Sequence, residues 1–389
     1  MATVDLPLPP TDRAPGGRLT TAEPTRLHHI DATLMLAAAG LVLFGLLMVY
    51  SATHRSQALL GGDPSFYLKR QALFLVVGAV ALAVSALVDY RLLRTYAPFI
   101  YLGTVFLLLL VRTPLGKTVL GAQRGFYIGP FQFTPSQFAR LGLIVMLAAV
   151  LSEIKGDLWI RDVVRATVLA GVPMILVFVQ PDIGTTIVLA AIMAAILIVS
   201  GAKARYLAVL GLAASLAIFG AFQLHVVKDY QVKRLVGFLD PKSDPQRAGY
   251  NRTQAEIAIG AGGLTGRGYL RGSQTNLAFV PEQHTDFIFT VVGEELGFVG
   301  AMLLLLLFGV MLWRAFRIAL LSKDPLGTFL ATGVAAMFAI QVFVNVGMTL
   351  GIMPITGIPL PFVSYGGTAL ITDFAAIGLL CNIHMRRFK

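Results

Sequence analysis

The stretch PEQHTDFIFTVVGEELG, residues 281–297, carries Glu282, Asp286, Glu294 and Glu295 out of a polar segment and into the apolar run FVGAMLLLLLFGVMLW. Charge is costly inside a bilayer, and an ionisable residue kept there marks a functional site. A carboxylate held at a membrane face can take the proton of an attacking hydroxyl, the work of a general base. On a helix through 286–300, at about 100° per residue, Thr290, Gly293, Gly297 and Gly300 fall within about 40° of Asp286, while Glu294 lies about 80° away and Glu295 opposite. Asp286 thus heads a stripe of small residues, suited to close helix packing or to walling a groove for a lipid tail. Its place at the start of the helix also suits a plain N-cap favoured by the helix dipole. Glu295 is too deep for that and needs an interior partner.

Other polar groups qualify as partners. TPSQFARLGLIVM sets Gln137 and Arg140 one turn apart just inside an apolar span, where an arginine must face the bundle interior or snorkel outward. VQPDIGTT sets Asp182 in a tight turn between two spans, as a helix cap or as part of a polar path. The expected anions for Arg140 are Asp286, Glu294, Glu295 or a substrate phosphate, with the side chain directed toward Asp286 or that phosphate.

These residues need a frame, and the composition supplies it. Of 389 residues 56% are hydrophobic and 13% charged, with a mean hydropathy of +0.77, so the chain is a polytopic, all-α membrane protein. Its lone cysteine, Cys381, excludes an intrachain disulfide and a cysteine-built zinc site. About ten spans are expected, near 31–51, 70–88, 93–111, 136–154, 163–180, 183–201, 205–225, 286–314, 327–350 and 364–385. Residues 1–28, rich in Pro, Gly, Thr and Arg, read as a disordered tail before a membrane domain spanning 29–389. Arg91, Arg94, Lys155, Arg161, Arg165, Lys203, Arg205, Arg314, Arg317 and Lys323 fall on one side, which puts both termini in the cytoplasm.

The remaining basic residues gather in two outer segments, about 112–135 and 226–285. The second, between the seventh and eighth spans, carries Lys228, Lys233, Arg234, Lys242, Arg247, Arg252, Arg267 and Arg271. Either they are solvated or they meet an anionic headgroup or phosphate; no nucleic-acid partner is expected. Within that loop YNRTQAEIAIGAGGLTGRG suggests a short amphipathic helix lying at the membrane surface and ending in glycines. AGGLTGRG follows no strand, so a phosphate-cradling glycine loop is a weak reading.

The motifs also resemble a known family. MPITGIPLPFVSYGGTALI (353–371), preceded by NVGMTLG, closely resembles the signature of the SEDS family, the shape, elongation, division and sporulation proteins. VQPDIGTT, FLDPKSDPQRAGYNRTQAEIAIGAGGLTGRG, FVPEQHTDFIFTVVGEELGFVG and GAQRG…FQFTPSQFAR resemble further blocks in family order, over about residues 30 to 389. TGIPLPFVSYGG looks like the elongation branch rather than the division branch.

The resemblance implies ten transmembrane helices and polymerisation of lipid II, an undecaprenyl-diphosphate-linked disaccharide peptide, on the outer face of the bacterial cytoplasmic membrane. It makes Asp286 the essential aspartate. An α-linked donor and a β-1,4 product require inversion, so one carboxylate suffices as base, and the leaving diphosphate needs only neutralisation. Arg124, Arg140, Gln137, Ser364, Lys69 and Arg70 are the candidates on the substrate and diphosphate side. Glu294, Glu295 and Asp182 are candidate structural or cavity residues, with Pro359, Pro361, Gly366 and Gly367 shaping a broken or re-entrant segment. A divalent cation, Mg or Mn, at Asp286 is compatible but not demanded. A class B penicillin-binding protein, a transpeptidase, and other elongation-complex membrane proteins are the implied partners. Two features depart from the family pattern. Gln137 and Arg140 stand where it has a glutamate and a lysine, and Gly125 and Phe126 follow Arg124 where it has a tryptophan. The competing readings are a lipid II flippase, whose polar path would use Glu295, Arg140 and Asp182, and a scaffold without catalysis.

Overall fold

The computed structural model describes residues 30–119, 122–128, 131–223, 238, 248–277 and 279–387. The expected N-terminal tail and Lys228, Lys233, Arg234, Lys242 and Arg247 lie outside the described residues. The chain is almost entirely helical: α1 (Ala32–Leu59), α2 (Phe66–Leu87), α3 (Leu92–Val111), α4 (Pro135–Ser152), α5 (Ile160–Val179), α6 (Ile183–Val199), α7 (Ala204–Gln223), α8 (Ala248–Gly262), the one-turn α9 (Ser273–Asn276), α10 (Ile288–Leu320), α11 (Pro325–Thr349) and α12 (Gly367–Arg386). Among the described residues, 8 helices are long and apolar enough to cross a membrane, and the apolar stretches Ile183–Val199 and Ala204–Leu216 are shorter. These ten occupy the positions of the ten expected spans. A small antiparallel sheet, β1 (Lys117–Val119), β2 (Ala122–Ile128) and β3 (Phe131–Phe133), fills the first outer segment and was not anticipated.

Local sequence sets where the helices begin. Asp31, Asp182 and Asp324 cap α1, α6 and α11, accepting from the amides of Leu34, Thr185 and Gly327 at 3.1, 3.1 and 2.7 Å. Pro135 and Pro325 stand in the first turns of α4 and α11, where a missing amide costs nothing. The most enclosed spans are α4, α11 and α12; the others ring them and turn leucine and valine outward, as a lipid-facing surface requires. α12 lies along α2, α3 along α4, and α1 along α10, while α11 packs on α10, α6 and α4.

The two ends of the bundle differ in chemistry. One end is laced by ion pairs: Arg314 with Asp31, Arg91 with Asp324 at 3.6 Å, Arg94 with Glu153 at 3.2 Å, Arg386 with Asp89 at 2.8 Å and Lys203 with Asp157 at 3.4 Å. There too Tyr90 donates to Asp324 at 2.8 Å, and burial followed by that carboxylate pushes its hydroxyl up to about 12. The opposite end gathers the irregular backbone: the sheet, the turn at Asp182, residues 263–287 and the segment 351–366.

α10 shows how that backbone is satisfied. It is broken at Gly297, whose φ of 64° and ψ of −161° only glycine adopts readily. A break in a membrane helix frees amides and carbonyls that lipid cannot satisfy. The glycine-rich loop after α8 satisfies them in both directions. Arg267 and Gly268 donate to the carbonyls of Glu294 and Glu295 at 3.0 Å, and Phe298 and Val299 donate to the carbonyls of Gly263 and Leu264 at 2.9 and 3.1 Å. AGGLTGRG is therefore a plug for a broken helix. The small-residue stripe serves close packing: Gly293 meets Ile259 of α8, and Gly297 meets the backbone of Leu264 and Gly266. Instead of a free surface helix, α8 is packed on α10, with Ala255 and Ala258 fully buried.

Candidate active site

Asp286 precedes α10 in the turn 281–287; the cap position belongs to Phe287, so Asp286 is not the helix cap. The turn is pinned residue by residue. Gln283, 5% exposed, donates to the carbonyls of Ala52 and Thr275 at 2.8 and 2.9 Å. The carbonyl of His284 accepts from the amide of Tyr365 at 2.9 Å. Phe287 is buried in a small core with Ala255, Ala258 and Val280, against which Ile355 packs. The amide of Asn345, a wholly buried residue of α11, donates to the carbonyls of both Asp286 and Ile358, at 2.8 and 2.7 Å. This leaves the Asp286 side chain half-buried at the edge of the fold. Its carboxylate lies against Gly357, at which a Cβ would stand only 3.2 Å from Oδ2.

The segment 353–366 forms the other wall. Pro359 and Pro361 keep it from becoming helix, and Thr356, Ile358 and residues 360–364 are buried. It runs beside Asp286 through Gly357. Gly367 lets the start of α12 approach the Phe74 ring, where a Cβ would stand 2.7 Å away, and Gly366 holds its N-cap position. Ser364 is spent within the segment: its hydroxyl accepts from the amide of Leu360 at 2.8 Å, and its carbonyl accepts from Gln71 at 3.3 Å.

Aromatic rings close the Asp286 side. Tyr67 stands 4.8 Å from His284 and 5.0 Å from Tyr365, centroid to centroid, and His284 stands 5.7 Å from Tyr365. Arg70 lies 5.0 Å over Phe66 and reaches the Tyr365 hydroxyl. His284 and Tyr365 lie outside the crossing helices. Burial lowers the pKa of His284, partly countered by Glu282, and raises that of Tyr365, partly countered by Arg70. Arg70 thus joins the aromatic cluster at Tyr365, whereas Lys69 pairs with Asp63 at 2.6 Å on the exposed surface.

The other candidates fall elsewhere. Glu294, wholly buried, caps α9, accepting from the amides of Gln274 and Thr275 at 2.8 and 2.9 Å and from the Thr275 hydroxyl at 2.7 Å. Both oxygens of Glu295 accept from Ser51 of α1, at 2.6 and 2.7 Å. Asp182 caps α6 and accepts from Ser136 of α4 at 3.2 Å. Arg124 of β2 donates to the carbonyl of Pro181, the residue before Asp182. Arg140 is 2% exposed, which rules out snorkelling. It does not pair with Asp286, Glu294 or Glu295; the carboxylates facing it are Asp373 and, more weakly, Asp182.

The structure therefore makes two clusters: Asp286 with His284, Tyr67, Tyr365, Arg70 and Asn345, and a deeper one of Arg140, Gln137, Asp182, Arg124 and Asp373. They meet at the signature segment, where Gly184 of α6 packs against Ile358 and the carbonyl of Thr356 and the Phe362 amide faces Asp373. Sequence reasoning missed Asn345 and Asp373. Both carried a signal, as a polar or acidic side chain in the middle of an apolar span.

No group of three or more His, Cys, Asp or Glu side chains that could hold a metal stands together among the described residues.

The family model described as a cell cycle protein, FtsW/RodA/SpoVE, matches residues 31–389. The chain is 37% identical over 361 residues to peptidoglycan glycosyltransferase MrdB of Escherichia coli K12, covering 92% of this chain and 94% of that protein. It is 36% identical over 364 residues to a probable peptidoglycan glycosyltransferase FtsW of Geobacter sp. strain M18, covering 93% and 98%. With stage V sporulation protein E of Bacillus subtilis strain 168 it shares 38% over 362 residues, covering 92% and 98%. Among solved structures, the rod shape determining protein RodA of Thermus thermophilus matches with a TM-score of 0.67 at 30% identity, covering 92% of this chain and 98% of that one. A chain from a peptidoglycan synthase complex that coordinates polymerization and crosslinking matches with a TM-score of 0.77 at 32% identity, covering 92% and 99%.

Proposed function

The chain belongs to the FtsW/RodA/SpoVE family of cell cycle proteins, and we propose that it is a peptidoglycan glycosyltransferase that polymerises lipid II by inverting transfer, with Asp286 as general base. One observation carries the reading. The turn bearing Asp286 is clamped on both sides to the signature segment, by Asn345 and by the amide of Tyr365, so that one half-buried carboxylate is held at the edge of the fold. That is where two lipid-anchored substrates bring a hydroxyl and an anomeric carbon. The acceptor's 4-hydroxyl gives its proton to Asp286 as it attacks; the C–O bond to the diphosphate breaks, and the diphosphate leaves as an anion. Arg70, at the hydroxyl of Tyr365, is the cation we assign to the leaving diphosphate, and no step is routed through a divalent ion.

The ion-paired end of the bundle carries most of the basic residues of the short loops, so the positive-inside rule places it in the cytoplasm with both termini. Asp286 then faces outward from the cytoplasmic membrane. A role in elongation rests on TGIPLPFVSYGG alone, since relatives named for division and sporulation match about as well. A neighbour's place in a complex coordinating polymerization and crosslinking supports a transpeptidase partner of the class B penicillin-binding type. The flippase reading loses support because Glu295 and Asp182 are consumed in local hydrogen bonds.

The test is polymerisation of labelled lipid II by the purified protein, alone and with its cognate transpeptidase. Asp286→Asn should lower the rate by about 10²–10⁴-fold, the range for a lost general base, with normal folding. Glycan strands made by Asp286→Asn at the wild-type rate would remove Asp286 from the mechanism.

A further inference from the structure

We propose that Asp373 of α12 is the counter-ion of Arg140 and a positioning residue for the reaction, holding the signature segment in place beneath Asp286. Its activity arm rests on the polymerase reading above.

Arg140 is 2% exposed in the centre of the bundle. A guanidinium keeps its charge there, and an uncompensated buried charge is strongly destabilising. Its Nε donates to the carbonyl of Gln137 at 3.3 Å, but Nη2 is buried without a hydrogen-bond partner. Gln137, the neighbour one turn back, is neutral, and its own Oε1 is buried and unpartnered. Two carboxylates face the guanidinium. Asp182 is already committed: Oδ1 accepts from the Thr185 amide, and Oδ2 from the Thr185 and Ser136 hydroxyls. Asp373 is the opposite case, 2% exposed with Oδ1 buried and unpartnered. So α4 offers a buried donor without an acceptor, and the packed helix α12 offers a buried acceptor without a donor. The charges are opposite, and of the two acids only Asp373 has a buried oxygen left without a hydrogen-bond partner.

The consequence reaches the site through the backbone. The Asp373 carboxylate faces the amide of Phe362 in the signature segment. Phe362 has a φ of 63°, a conformation disfavoured for a bulky residue unless its surroundings hold it. The same segment carries Gly357, against the Asp286 carboxylate, and Tyr365, whose amide clamps His284. Asp373 therefore touches no reacting atom in this reading; it acts through Phe362.

Moving the acid tests the proposal. Asp373→Asn removes the counter-ion at nearly constant shape, and adding Gln137→Glu returns a carboxylate three residues from Arg140 on the same helix, within reach of its side chain. Thermal melting in detergent and the kcat and KM for labelled lipid II are measured on wild type, Asp373→Asn and Gln137→Glu/Asp373→Asn. Expected are a lower Tm and a kcat reduced on the order of ten- to a hundredfold in the single variant, the cost of a small misplacement of reacting groups, with recovery of both in the double. A single variant that melts and polymerises as wild type overturns the proposal, and so does a double variant that recovers neither property. Recovery of Tm without kcat keeps the charge pair and overturns the positioning role. If the single variant does not fold, folding of the double decides the pair and its kcat decides the role. If wild type makes no glycan, the polymerase reading fails, while the melting series still decides the pair.

Discussion

Asn345→Leu isolates the clamp on Asp286, because leucine keeps the number and branching of the side-chain heavy atoms and removes both donors. The side chain is wholly buried, so no water replaces it. Two carbonyls lose their partner: that of Ile358, in a buried bond, and that of Asp286, in a part-buried one. A buried polar group left unsatisfied costs about 1–3 kcal/mol, so the Ile358 carbonyl takes that full range and the Asp286 carbonyl less. Against this, Asn345 Oδ1 is itself buried without a partner, and its removal returns a similar amount. The net loss of stability is therefore small, that of the part-buried Asp286 carbonyl alone, about 1 kcal/mol. The loss of rate is larger in proportion. Without the clamp the turn 281–287 and the signature segment are no longer tied at Asp286, and a displacement of about 1 Å at a reacting group can cost about 10²-fold. The assay pairs melting in detergent with lipid II polymerisation. Polymerisation within about threefold of wild type, against the 10²-fold expected, would refute the clamp, and a collapse of folding instead would mean that Asn345 serves the bundle rather than the site.

Glu294→Gln keeps the shape of the cap on α9 but withdraws the charge from two amides and two hydroxyls; it should cost about 1–3 kcal/mol and speed limited proteolysis within 263–277. Gly297→Ala should cost at least about 1–3 kcal/mol, since its φ and ψ belong to glycine and a Cβ there would meet the backbone of Leu264 and Gly266; melting decides it. Burial lowers the pKa of His284 in the folded state, so the unfolded chain takes up the proton first and stability should fall as pH drops below the ordinary histidine range. His284→Gln should flatten that slope in Tm against pH, and an unchanged slope would assign it to another group.

Much of this arrangement is readable from residue types alone, and the limits have physical causes. Apolar runs locate the crossing helices because a bilayer demands about twenty apolar residues per helix, and the prolines of 353–361 announce a break because proline removes a donor. A helical wheel drawn through Asp286 fails for a related reason. It assumes an unbroken helix from 286 to 300, while the helix begins at Ile288 and breaks at Gly297. The counter-ion proposed above for Arg140 lay outside that reading, which weighed Glu294, Glu295, Asp286 and a substrate phosphate but not Asp373, inside the last span. Charge balance in a bundle is settled across helices, so an acid far away in sequence can be adjacent in space. The sheet of 117–119, 122–128 and 131–133 escaped because two of its strands have only three residues and the third, AQRGFYI, does not alternate apolar and polar residues.

The irregular backbone itself explains why the site lies where it does. A bilayer tolerates non-helical chain only where protein satisfies it, and in this fold the two main breaks satisfy each other's surroundings. The break at Gly297 is filled by the loop after α8, and α8 in turn packs beneath the turn that carries Asp286 through Ala255, Ala258 and Phe287. The break at 351–366 is satisfied from α11 by Asn345, from α2 by Gln71 and from the Asp286 turn through Tyr365 and His284. Asp286 sits at the seam between the two. Its geometry is therefore fixed by hydrogen bonds that the membrane makes obligatory, and substitutions that weaken either plug should reach the carboxylate without touching it.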